Sequence, residues 1–86
     1  MHYVYIIKSK FDGVFYKGYT TNYHKRIEEH NNGLSRYTAK KIPWELIYVE
    51  EHPDKTSALI REKKLKRCKS EYFEWLKENG NNILKR

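Results

Sequence analysis

Three ionisable side chains fall where helical spacing calls for apolar ones. Across residues 23–30, Tyr23, Ile27 and His30 recur at i, i+4 and i+7, with Arg26 beside them at i+3. Further on, Ala58, Leu59, Glu62 and Leu65 form a second inward stripe with Glu62 in its middle. A buried charge is costly unless it is paired or bound to a metal. Three arrangements meet that condition. Glu62 and Arg26 can pair across two helices; Arg26 can lay its stem along the core edge with its head in water; or Arg26, His30 and Glu62 can build a site at the helix–sheet boundary. Such a site has a definite chemistry. Arg grips oxyanions through a bidentate fork without losing its proton, His carries protons near neutrality, and a carboxylate takes a hard cation. Tyr5 and Tyr16 add two phenols on one strand face, whereas Tyr3, Tyr19 and Tyr48 read as packing residues.

These side chains need a scaffold. Tyr3-Val-Tyr-Ile-Ile7 is β-branched and aromatic, which predicts a strand, and Val14–Tyr19 predicts its return after a turn at Asp12-Gly13. Thr20, Thr21 and Asn22 offer caps for a helix from Tyr23 to about Asn31, stopped by Asn32-Gly33. Leu34 to Pro43 is a basic loop, and Trp44–Glu50 alternates as a third strand. Asp54 or Thr56 can cap a helix from Ser57 to Cys68, and Ser70 a last helix ended by Asn79-Gly80. The expected fold is α+β, a three-stranded antiparallel sheet with helices packed on it, in the order β-β-α-β-α-α. The hairpin register decides whether the two phenols meet. A two-residue turn at Asp12-Gly13 pairs Tyr5 with Thr20 and leaves the tyrosines four positions apart, roughly 13 Å along the strand. A wider loop over residues 9–13, or a bulge, brings them together on the same face.

Composition narrows the setting. The 86 residues suit one small domain, and a 15% aromatic content argues against disorder. Lys and Arg number 18 against 11 Asp and Glu, a net charge of +7 that favours a polyanion partner. Most of the excess lies in residues 55–69, where seven basic residues face only Glu62. The lone Cys68 closes no intrachain disulfide, and no C-x-x-C pair suggests zinc. With no apolar leader and no run of eighteen apolar residues, the expected location is cytoplasmic, off the membrane.

Tyr3-Val4-Tyr5, about ten residues before Tyr16-Lys17-Gly18, resembles the paired motif of the GIY-YIG nuclease domain. The match continues with Arg26 ten residues beyond Tyr16, His30 a helical turn later and Glu62 on a following helix. It extends over residues 2–78 and is similar to the short, stand-alone bacterial members, so 1–86 is expected to be one such domain. The resemblance implies a divalent-metal-dependent endonuclease using one Mg²⁺ or Mn²⁺. It makes Tyr5 and Tyr16 the motif tyrosines, one of which helps deprotonate the attacking water. Arg26 would neutralise charge on the phosphoryl oxygens, His30 would assist proton transfer, and Glu62 would be the single protein carboxylate on the metal. Tyr3 and Lys17 replace a glycine and an isoleucine of the family pattern, neither of which supplies a catalytic side chain. Tyr19 stands where excision-repair members carry a lysine, which leaves His30 as the assistant.

The partner expected on this reading is DNA. Arg36, Lys40 and Lys41 from the loop, with Lys63, Lys64, Lys66 and Arg67 from the basic helix, would hold the phosphate backbone. Nothing resembles a zinc finger or helix-turn-helix, so low sequence selectivity and a preference for DNA structure are expected, in repair or recombination. The alternatives are a binding module that does not cut and a catalytic subunit directed by a targeting protein.

Overall fold

A computed structural model describes residues 1–85. Its elements follow the predicted order: β1 (His2–Ser9), β2 (Phe15–Thr20), α1 (Tyr23–Asn31), β3 (Trp44–His52), α2 (Lys55–Leu65) and α3 (Ser70–Asn79), with short 3₁₀ turns at Ala39–Lys41 and Ile83–Lys85. The sheet is antiparallel in the order β2-β1-β3. The central strand buries Val4, Tyr5, Ile6 and Ile7 in succession because helices cover both of its faces. On one face Val4 and Ile6 pack with Ala58 and Leu65 of α2 and Phe73 and Leu76 of α3. On the other, Tyr5, Ile7 and Val49 pack with Tyr23 and Ile27 of α1. A bulge opposite Ile6/Ile7 lets the successive residues Ile47 and Tyr48 of β3 share the α2–α3 side.

The hairpin differs from a two-residue turn. Tyr5 pairs with Gly18 and Tyr16 with Ile7, so residues 10–14 form a wide loop, with Gly13 at φ +80°. Ser9 holds that loop: its Oγ accepts the Phe11 and Asp12 amides at 3.0 and 3.3 Å and donates to the Lys41 carbonyl at 2.7 Å. The phenols thereby become diagonal neighbours, with ring centroids 6.5 Å apart.

Other local expectations shift by less. Asn22 caps α1 through the Lys25 amide, at 3.1 Å. Asp54 caps α2 through Ser57 N at 2.8 Å, so the helix starts at Lys55 rather than Ser57; it also ends at Leu65, before Cys68. Ser70 is the first residue of α3 and not its cap, a position held by Lys69 without a side-chain bond. Leu59 is 41% exposed and does not belong to the inward stripe of α2. Arg61 turns inward instead, its Nε on both oxygens of Glu50 at 3.1 Å.

Candidate active site

Gly18 makes room for the central feature of the site. The Tyr5 ring lies over it, and a Cβ at that position would stand 2.6 Å from Tyr5 Cζ. The ring's hydroxyl reaches α1, where it meets His30 Nε2 at 2.8 Å. His30 Nδ1 lies 2.7 Å from Thr38 Oγ1, which donates to the Ser35 carbonyl at 3.4 Å. That last bond orients the chain. Thr38 spends its proton on Ser35, so it accepts from His30 Nδ1–H, and Nε2 accepts from the Tyr5 hydroxyl.

Burial sets the protonation of this pair. It pushes the Tyr5 phenol up to about 12, against the pull of the neighbouring Arg26 guanidinium, with smaller upward pushes from Tyr16 and Glu62. Burial, then the charge of Arg26, hold His30 down at about 4. At neutral pH the proton therefore rests on Tyr5, hydrogen-bonded to a neutral imidazole that already offers it a lone pair. Arg26 is half-buried and bridges to Glu29 at 3.2 Å. It does not pair with Glu62, whose carboxylate instead lies 3.5 Å from Lys66 Nζ, so the expected cross-helix ion pair is absent among the described residues.

Glu62 belongs to α2, in the layer opposite α1, and its charge adds only a small upward push on the Tyr5 phenol. Along β2, Tyr16 and Gly18 face α1, whereas Phe15 and Lys17 face α3: Phe15 lies 5.3 Å from the Phe73 ring, and Lys17 Nζ stands 5.0 Å from its centroid. A hollow of about 310 Å³ lined by Phe15, Tyr16, Lys17, Tyr37 and Lys66 wraps round this edge from one layer to the other. Burial, then the charge of Lys66, depress the Lys17 ammonium. Glu62 is one helical turn before Lys66, its side chain 19% exposed.

The described residues contain no group of three or more His, Cys, Asp or Glu able to hold a metal. What Glu62 offers is one carboxylate with a single loose contact to Lys66, a residue that lines the hollow. That donor set fits one hard cation that keeps most of its waters and takes further oxygens from a phosphate. A two-metal centre needs several converging acids.

Of the predicted site residues, Tyr5, Tyr16, Arg26 and His30 converge directly, whereas Glu62 touches none of them and acts only weakly on Tyr5 through its charge. Arg36, Lys40 and Lys41 line a second hollow of about 500 Å³ that shares Tyr37 with the first. Lys41 also pairs with Asp12. Lys66 joins the first hollow, but Lys63, Lys64 and Arg67 line a third that shares no residue with either. Sequence reasoning missed Thr38, fully buried at the end of the proton chain, and Tyr37, 61% exposed with its ring 5.7 Å from that of Tyr16. An aromatic within a basic loop was a signal for Tyr37; nothing local marked Thr38. Tyr3 packs edge-on against Tyr23, Tyr19 bonds His2, and Tyr48 donates to Glu50.

No helix among the described residues is long and apolar enough to cross a membrane. Residues 1–78 match the GIY-YIG catalytic domain. The UPF0213 protein YazA of Bacillus subtilis is 40% identical over 87 residues, covering 96% of this chain and 87% of its own. A UPF0213 protein of the archaeon Haloquadratum walsbyi is 37% identical over 83 residues, covering 95% and 92%. The solution structure of a UPF0213 protein from Bacillus halodurans superposes with a TM-score of 0.56 at 35% identity, over 93% of this chain and 86% of that one. With its strand order, its paired tyrosines and this breadth of similarity, the chain belongs to the GIY-YIG nuclease-domain family, among the short UPF0213 proteins.

Proposed function

We propose that the protein is a divalent-metal-dependent endonuclease that hydrolyses DNA phosphodiesters with low sequence selectivity. The observation that carries the reading is the Tyr5 hydroxyl, bonded to a neutral His30, beside Arg26 and within the field of Glu62. Hydrolysis requires a deprotonated water, neutralised non-bridging oxygens and an oriented phosphate. Arg26 provides the fixed cation for the oxygens. Tyr16, half-buried at the rim of the hollow, orients the phosphate or the attacking water. Tyr5 acts as the base in its phenolate form, its proton lost to solvent, and His30 Nε2, held in the accepting tautomer by Thr38, fixes the position of the hydroxyl. Glu62 would hold one Mg²⁺ or Mn²⁺, which when bound supplies the charge that favours phenolate and stabilises the phosphoryl oxygens. Lys17, Arg36 and Lys40 flank the hollows as phosphate contacts, and Tyr37 offers its ring to a base. Such an activity suits DNA repair or recombination in the cytoplasm, with a partner protein free to supply the target.

The test compares the parent with Glu62→Ala and Arg26→Ala on supercoiled, branched and single-stranded DNA with Mn²⁺ or Mg²⁺. Glu62→Ala should fall to background, and Arg26→Ala should lose on the order of 10²–10³ in rate. Mn²⁺ binding followed by electron paramagnetic resonance should weaken in Glu62→Ala alone. Equal cleavage by Glu62→Ala and parent overturns the assignment; binding without cleavage in both favours a module that does not cut.

A further inference from the structure

The cations of the basic segment do not form one surface. Arg61 is spent on Glu50, Lys66 contacts Glu62, and Lys55 Nζ lies 5.8 Å from the Tyr19 ring. Lys63, Lys64 and Arg67 make no ion pair among the described residues. With Ile60 and Cys68 they line a hollow of about 600 Å³ with no carboxylate in its lining. At 3.6 residues per turn, Ile60, Lys63 and Lys64 fall opposite Ala58 and Leu65, the residues that press α2 onto the sheet, and Arg67 follows just past the helix end. Their hollow therefore faces away from the sheet, whereas the hollow at Tyr16 wraps the β2 edge toward α1.

We propose that the outer face of α2 is a second DNA-binding surface, one that holds a different segment of DNA from the segment in the catalytic hollow. The inference rests on the nuclease reading and gives it a substrate class: DNA that presents two segments at once, such as two arms of a branch. Uncompensated cations around the aliphatic Ile60 suit a phosphate backbone with its sugars. Stiffness supplies the rest. Duplex DNA has a persistence length of about 500 Å, while the protein measures 31 × 25 × 25 Å. A straight duplex seated in the Tyr16 hollow leaves the outer α2 face, which shares no lining residue with that hollow, open to a second segment.

Cys68, the single cysteine, lines the second hollow half-buried and reports on it directly. A short duplex is titrated into the protein in chelator, so that no cleavage enters, while anisotropy counts bound equivalents and the alkylation rate of Cys68 is followed. The expected result is two equivalents, the first leaving Cys68 alkylation unchanged and the second slowing it several-fold. A Lys63→Ala/Lys64→Ala/Arg67→Ala variant should keep the first equivalent and lose the second. Protection of Cys68 by the first equivalent would mean one continuous track, and no protection at any concentration would mean a surface for something other than DNA; either overturns the proposal. Because the assay contains no divalent ion, two-segment binding stands or falls separately from cleavage by the Glu62 test.

Discussion

Tyr5 shows how one side chain depends on the absence of another. Its ring occupies the space over Gly18, so Gly18→Ala must displace the ring or the strand. Overpacking of this kind costs about 1–3 kcal/mol. A lowered Tm should accompany it, and cleavage should fall further than the stability loss explains, because the hydroxyl leaves His30. The same pair makes two pH predictions. With the phenol at about 12, phenolate is scarce at neutrality, so the cleavage rate should rise about tenfold per pH unit between 7 and 9. Tyr5→Phe should abolish that slope, and a Tyr5→Phe variant that keeps it would move the base to Tyr16. His30 acts on stability with the opposite protonation sense. Its folded value of about 4 lies below the ordinary 6.5, so the unfolded chain binds more protons between those limits. Stability is complete above pH 6.5 and should decline by about 3 kcal/mol as the pH falls to 4. Urea midpoints of the parent should follow that window, and those of His30→Gln should be flatter across it.

At the scale of elements, α2 separates what sequence pattern reveals from what it hides. The helix, its Asp54 cap and the inward Ala58 and Leu65 were legible because they follow helical period and cap chemistry. The third inward position was misread. Leu59 is apolar and exposed, whereas Arg61 is charged and held under the sheet by Glu50, which also accepts from Tyr48 at 2.7 Å and contacts His52 at 2.6 Å. Periodicity weighs residues by hydropathy and cannot see a partner on another element. For the same reason the hairpin register was left between two solutions, since it rests on Ser9 gathering loop amides and the Lys41 carbonyl. Tyr5, Tyr16, Arg26, His30 and Glu62 were named from the family motif, and the fold brings the first four together, whereas Thr38 was not named, because the loop that carries it has no period. The Arg61–Glu50 link is a strong structural prediction. Glu50→Ala takes the carboxylate from a half-buried guanidinium and should cost about 1–3 kcal/mol, while Leu59→Ala at its exposed site should stay within about 0.5 kcal/mol. Chemical denaturation of the two variants measures the contrast directly, and equal costs would return Leu59 to the core.

For the whole molecule, the net charge of +7 is less useful than its partition. Some cations are consumed internally: Arg61 by Glu50, Arg26 by Glu29, Lys41 by Asp12 and Lys66 by Glu62. Around the catalytic hollow this leaves Lys17, Arg36 and Lys40 outside any ion pair among the described residues. Each phosphate neutralised releases counterion, with a log–log salt slope of about −0.9 per contact on duplex DNA. Three contacts therefore give a slope of about −2.7, or roughly a 40-fold loss of affinity between 50 and 200 mM salt. A short duplex binding the first site in chelator should show that slope. Engagement of the outer α2 face by a branched DNA should steepen it by a similar amount, as Lys63, Lys64 and Arg67 contribute their own three contacts. Arg36→Ala and Lys64→Ala should then separate cleanly: the first lowers the slope on both DNAs by about one unit, the second only on the branched one. A slope set by total charge, the same on both DNAs and equally reduced by either substitution, would mean that the protein meets DNA as a diffuse cation and that the division into two surfaces has no consequence for binding.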